Sequence, residues 1–145
     1  MTESRKRSFV AQDPDYDTRV RESFLAQRVM SLIGAAIEEL QPGRCVISIP
    51  WREDLSQQNG FFHAGITATV ADSAGGYAGY TLMPAASNVL TAEYKISLLR
   101  PARGSRLRAV GQVIRAGKTL VFSEVEVFAV DDSRTLHCAT MTQTL

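Results

Sequence analysis

The sequence predicts a single α+β domain, an antiparallel sheet of about six strands wrapped around one long central helix. Three observations carry this expectation. From residue 88 onward the chain breaks into alternating apolar and polar runs, separated by turn signals at regular spacing. The segment Ala64–Met83 holds one charge, Asp72, among many Ala and Gly residues. Each Gly costs a helix about 1 kcal/mol relative to Ala, so a helix of this composition implies a surface wrapped closely around it. Finally, 145 residues with 45% hydrophobic and 21% charged content can build one core without disulfides.

The elements follow in order. Residues 1–16 are polar and basic, with Arg5, Lys6 and Arg7, and read as a flexible lead-in to a domain spanning 17–145. Asp17 or Thr18 is placed to cap a helix whose apolar positions are Val20, Phe24, Leu25, Met30 and Ile33, ending near Gly34. Ala35–Leu40 and Cys45–Pro50 flank Gln-Pro-Gly-Arg, a turn signal, and predict a hairpin. Trp51–Phe62 is polar and aperiodic, a loop. His63 to about Thr81 is the long helix. Asn88–Leu99, Ser105–Arg115, Thr119–Val130 and Thr135–Thr144 are the remaining strands. In the third of these, Leu120, Phe122, Phe128 and Val130 share a face with Glu124 and Glu126.

Composition also excludes function classes. A net charge of +1 gives no reason to expect nucleic acid or a membrane surface as partner. Cys45 and Cys138 lack metal-ligand spacing and read as free thiols of a cytoplasmic protein. Ala64–Met83 is long enough to span a bilayer, but Leu, Ile, Val and Phe are sparse and a carboxylate sits at its centre. A membrane span is therefore not expected.

The string Gln57-Gln-Asn-Gly60-Phe-Phe-His63-Ala64-Gly65, followed by Ala71-Asp72-Ser73-Ala74, resembles the PaaI-type hotdog thioesterases. Leu99-Arg-Pro-Ala102 and Ala116-Gly117-Lys118 match further signals of that family. The resemblance runs from about Ile33 to the C-terminus. It implies a hotdog fold and cofactor-free hydrolysis of an acyl-CoA by a homo-oligomer, a homodimer or dimer of dimers, with sites shared between subunits. The sequence departs from the family at two places. Ala64 replaces the first Gly of His-Gly-Gly, and Gln57 stands where Asn is usual, leaving Gln57, Gln58 and Asn59 as alternative substrate-contacting amides.

The chemistry of the residues agrees. A thioester hydrolase needs donors for an oxyanion and a group that activates or supplies a nucleophile. The amides of Ala64 and Gly65 at a helix N-terminus suit the first task, and Gly65 permits close approach. His63 is expected to orient this turn. Asp72, alone on a small-residue helix, must be paired, solvated or functional; the family resemblance makes it the general base or nucleophile. The resemblance also makes Thr91 a candidate, since the family often has Ser or Thr there to hold the attacking water; Thr is equally an ordinary strand residue. Seven residues separate Gly65 from Asp72, about 10 Å along a helix. One helix therefore cannot present both to one carbon, and an antiparallel two-fold partner would. Gly60, Phe61, Phe62, Ser73 and Tyr77 are candidate substrate contacts, with Tyr80 and Met83 added to an apolar acyl pocket. Arg100, Arg103 and Lys118 are candidates for CoA phosphates, while Arg106, Arg108 and Arg115 read as a solvated strand face. The competing functions on the same fold are a non-catalytic acyl-CoA or acyl-carrier binding module, which needs no carboxylate, and a hydratase, which needs a close Asp–His pair on one helix.

Overall fold

A computed structural model describes residues 7–145. Six antiparallel strands form one sheet in the order β1-β2-β4-β5-β6-β3, comprising β1 Ala36–Gln41, β2 Arg44–Pro50, β3 Glu93–Leu98, β4 Arg106–Ala116, β5 Val121–Asp131 and β6 Arg134–Thr144. Helix α1, Tyr16–Ala26, and the short α2, Arg28–Leu32, precede it, and α3, Ala64–Tyr80, lies across β2, β4 and β5. The six-stranded α+β hotdog arrangement expected from the sequence is the one observed.

The small residues of α3 are explained by how closely it meets the sheet. A Cβ at Gly111 of β4 would collide with the backbone of Ala74 and Gly75. A Cβ at Gly75 would collide with Gln143, Ser123 and Val125. Helix and strand thus pack backbone to backbone at Gly111, and sheet side chains press on the helix backbone at Gly75; α3 is buried almost continuously from Val70 to Tyr80. Inward-facing Leu107, Ala109 and Val113 of β4, with Val125 and Val127 of β5, complete the core.

Several expectations are corrected. Residues 7–15 do not hang free. Gln12 donates to the Leu82 carbonyl at 2.9 Å, and the buried Asp13 pairs with Arg19 at 2.9 Å. Phe9 occupies the space a side chain at Gly43 would need. Residues 1–6 of the lead-in lie outside the described residues. The first helix starts at Tyr16, and Asp17 forms an ion pair with Arg21 instead of capping. It is also two helices, because Gln27 is extended (φ −78°, ψ 96°). Leu25, expected to be inward, is exposed. The hairpin turn holds: Gly43 has φ 78°, a left-handed conformation that favours Gly. The loop 51–62 contains a single 3-10 turn, Glu53–Leu55, and a bridge between Ser56 and Phe62. Strand β3 begins at Glu93, so Thr91 precedes it. On β5 the buried face is Val121, Ser123, Val125, Val127 and Ala129; Phe122, Phe128 and the two glutamates point outward.

Candidate active site

The start of α3 is fixed from both sides. Phe62, 3% exposed, packs edge-on against Trp51 at 5.1 Å between centroids. Its N–H donates to the Ala102 carbonyl, and the N–H of His63 to the Leu55 carbonyl. His63 is the N-cap residue, and its Nδ1 accepts from the Gly65 N–H at 2.8 Å. His63 thereby ties the turn together, and the N–H of Gly65, expected as an oxyanion donor, is engaged by it. Among the described residues nothing accepts from the Ala64 N–H. One amide at a helix N-terminus, where the dipole favours negative charge, is thus left for a ligand.

The loop before it is built by Gln57. Its side-chain oxygen accepts from the Asn59 N–H, its own N–H donates to the Phe61 carbonyl at 2.9 Å, and Gly60 takes φ 77°. A cleft of about 500 Å³ opens beside the helix start, lined by Gln57, Gln58, Phe61, His63, Ala64 and Arg100. Asn59 is exposed and does not line it. Cys138 touches the cleft too, but burial pushes its thiol up to about 11, and that of Cys45 to about 12. Neither is a thiolate at neutral pH.

Asp72 lies two turns further along α3 and opens into a different cleft, of about 470 Å³, between α1, α3 and the segment Val89–Thr91. Its carboxylate is held firmly. Thr91 Oγ1 donates to Oδ1 at 2.7 Å, and Gln143 Nε2 donates to the same oxygen at 2.5 Å. Gln143 also reaches the Asp72 carbonyl at 3.1 Å, and Ser123 Oγ lies 3.0 Å from Gln143 Oε1. Sequence reasoning missed Gln143. The available signal was a polar residue in the apolar register of Ala139 and Met141 on β6 and of Leu145 just after it. Ser73 and Tyr77 line the Asp72 cleft around Gln27, whose Oε1 is 3.4 Å from Ser73 Oγ and 3.5 Å from the Tyr77 hydroxyl. Burial pushes the Tyr77 phenol up, opposed by the Ser23 hydroxyl.

The proposed acyl pocket is therefore divided: Phe61 and Phe62 line one cleft and Tyr77 the other. Tyr80 is buried beneath the Arg19 guanidinium at 4.4 Å, and neither it nor Met83 lines these two clefts. The candidate phosphate-binding cations divide as well. Arg100 is anchored on the His137 carbonyl at 2.9 Å, and Arg103 sits 5.8 Å from the Phe61 ring. Gly60 and Arg103 share a shallow groove beside Trp51. Lys118 follows the other end of β4, whose 11 residues put it roughly 35 Å from Arg103 within one chain. Arg106 and Arg108 pair with Glu38 at 2.6 and 2.8 Å.

The sequence profile of the thioesterase superfamily matches residues 59–135, more than half of the chain, including His63, Ala64 and Asp72. A protein of Halobacterium salinarum with a provisional esterase name is 36% identical over 110 residues, 72% of each chain. The chain belongs to the thioesterase superfamily. A second provisionally named esterase, from Saccharolobus solfataricus, is 32% identical over 101 residues, 70% of this chain and 71% of that one. The crystal structure of a thioesterase family protein from Silicibacter pomeroyi is 43% identical, with a TM-score of 0.88 over 89% of this chain and 95% of that one. The Escherichia coli PaaI protein from the phenylacetic acid degradation operon shares the fold at 20% identity, TM-score 0.77, over 90% of this chain and 91% of that one. Membership of the thioesterase superfamily supports hydrolysis of a thioester or ester. Among the described residues, no helix is long and apolar enough to cross a membrane.

Proposed function

We propose that this protein hydrolyses an acyl-CoA thioester to the free acid and CoA, in the manner of the PaaI-type enzymes, and works as a homodimer with composite sites. The observation that carries this reading is the Asp72 carboxylate, anchored through Oδ1 and facing a cleft that a substrate can enter. A module that only binds acyl groups has no use for a charge so placed. In each site, the Ala64 N–H of one chain stabilises the oxyanion formed on the thioester carbonyl, and Asp72 of the partner subunit supplies the reactive oxygen. As a general base it takes a proton from water while the water oxygen attacks the carbonyl carbon. The C–S bond then breaks, and CoA leaves as a thiolate that takes up a proton. As a nucleophile it attacks the carbon itself, CoA leaves as the thiolate as the C–S bond breaks, and water hydrolyses the mixed anhydride to the free acid and the Asp72 carboxylate.

Geometry supports the dimer in this reading. Ala64 and Asp72 open into different clefts of one chain, eight residues apart along α3, about 12 Å. Strand β3 lies at the sheet edge, with Tyr94 and Leu98 about half exposed. An unpaired edge carrying apolar side chains suits pairing with its own copy across a two-fold axis. Arg100 and Arg103, near the oxyanion end, are the cations proposed for CoA phosphates.

A panel of aromatic and aliphatic acyl-CoAs with free-thiol detection tests the activity. Turnover by wild type and its loss in Asp72→Asn is the expected result; binding without turnover of any ester would instead favour a binding module. Ala64→Pro tests the oxyanion donor. Proline suits the first position of a helix, and His63 already has the extended conformation (φ −61°, ψ 138°) required before it. The variant should fold and lose turnover. Confirmed heterodimers of Ala64→Pro and Asp72→Asn chains should regain activity at the one intact site, and their failure to do so would remove the composite arrangement.

A further inference from the structure

We propose that Gln143 is a positioning residue, whose buried side-chain amide holds the Asp72 carboxylate so that Oδ2 alone is presented to the cleft. The inference rests on the reading of Asp72 as the reactive carboxylate.

Gln143 is 3% exposed and sits on the inward face of β6. A buried carboxamide without partners is costly, so its contacts define what it is there to do. Its orientation has one solution. Asp72, when ionised, only accepts, so the NH₂ end of Gln143 must face it. Oε1 then faces Ser123, which is fully buried and whose hydroxyl must donate across the 3.0 Å contact. Thr91 completes the arrangement. Its hydroxyl gives its single proton to Asp72 Oδ1 at 2.7 Å and accepts from Gln143 Nε2 at 3.1 Å. Thr91 therefore has no proton left to donate to a water, which it could hold only as an acceptor.

Both side-chain donors thus converge on Oδ1, and among the described residues none reaches Oδ2. The two oxygens of Asp72 are made inequivalent. One is a fixed anchor; the other keeps its lone pairs for the proton or carbon of the reaction. Gly75 supplies independent support. It lies in the interior of α3, and a Cβ there would collide with Gln143 Oε1 and Ser123 Oγ. The helix thus carries its least favourable non-proline residue where the amide and hydroxyl must pass.

Gln143→Met keeps length and burial but removes the amide. Its kcat should fall about 10- to 100-fold, the cost of a misplaced reacting group, with KM within about twofold of wild type. Gln143→Glu loses the donor when ionised and regains one when protonated. Its kcat relative to wild type should therefore recover as pH falls. A merely structural amide predicts neither the kcat-only loss nor this pH-dependent rescue. The claim is overturned if folded Gln143→Met retains kcat within about threefold, if kcat and KM change together, or if Gln143→Glu shows no recovery. Should Gln143→Met fail to fold, Ser123→Ala frees the amide to turn, and unchanged kcat in that variant overturns the claim instead. Rates are read on the acyl-CoA, or failing that the p-nitrophenyl ester, that wild type hydrolyses best. An inactive wild type sinks the reactive role of Asp72 and this inference with it; an active wild type with an equally active Gln143→Met sinks this inference alone.

Discussion

His63 shows how one side chain can organise the turn at the start of a helix. Its Nδ1 takes the Gly65 N–H, leaving the Ala64 N–H as the free donor at the helix start. His63→Ala should therefore cost about 1 kcal/mol of stability, the usual worth of an N-cap, as measured by urea unfolding. Asp72 was legible in the sequence because a lone charge among Ala and Gly has few bland explanations. Gln143 was not, because glutamine also suits an exposed strand position; only the register of β6 turns it inward. Gly65 was half legible. Its place at the helix start was evident, but the hydrogen bond that its N–H gives to His63 Nδ1 depends on a rotamer that spacing does not encode.

Between elements, the close approach of α3 to β4 sets the tolerance of the fold. Gly111→Ala should destabilise by about 1–3 kcal/mol, as overpacking does, because the new methyl meets helix backbone that cannot yield like a side chain. Thermal denaturation checks it, and an unchanged Tm contradicts it. On the outer face, Glu38 of β1 reaches across β2 to Arg106 and Arg108 of β4. Burial works to raise its carboxyl, but hydrogen bonds from Arg108 and Ser48 and the two arginine charges outweigh that and hold it below the usual range. A lowered value in the folded state gives stability that is present above the unfolded value and lost as pH falls through the folded one. Wild type should exceed Glu38→Gln by about 0.5 kcal/mol at neutral pH, typical of exposed pairs. Urea unfolding across pH should show the gap closing below about pH 4. Strand periodicity and the Pro-Gly turn made most of the sheet readable. The break at Gln27 was not readable, since nothing local extends that residue; its side chain lies instead beside Ser73 and Tyr77, far along the chain. The buried face of β5 was equally hidden, because both of its faces carry apolar residues.

For the whole molecule, activity and assembly should fail together. Tyr94→Lys with Leu98→Lys places like charges along the β3 edge that is proposed to pair with its copy. Sedimentation should show a monomer, and turnover should disappear although Asp72 and Ala64 are untouched. A dimeric variant, or an active monomer, would contradict the shared site. The proposal of two chains rests in part on a spacing that the sequence already displays, that of Gly65 and Asp72. The two separate clefts were not legible there, because the N-terminal helices that wall one of them meet α3 only in three dimensions.

The contact of Gly111 with Ala74 and Gly75 also bears on how such a protein can diversify. A helix whose backbone touches a strand can neither roll nor slide, so the Asp72 carboxylate is held in place. Variation in substrate range is therefore directed to the opposite wall of the cleft, at Ser23, Ala26, Gln27, Val89 and Leu90. A randomised library at those positions should yield new acyl preferences, whereas one spread along α3 should yield mostly unfolded chains.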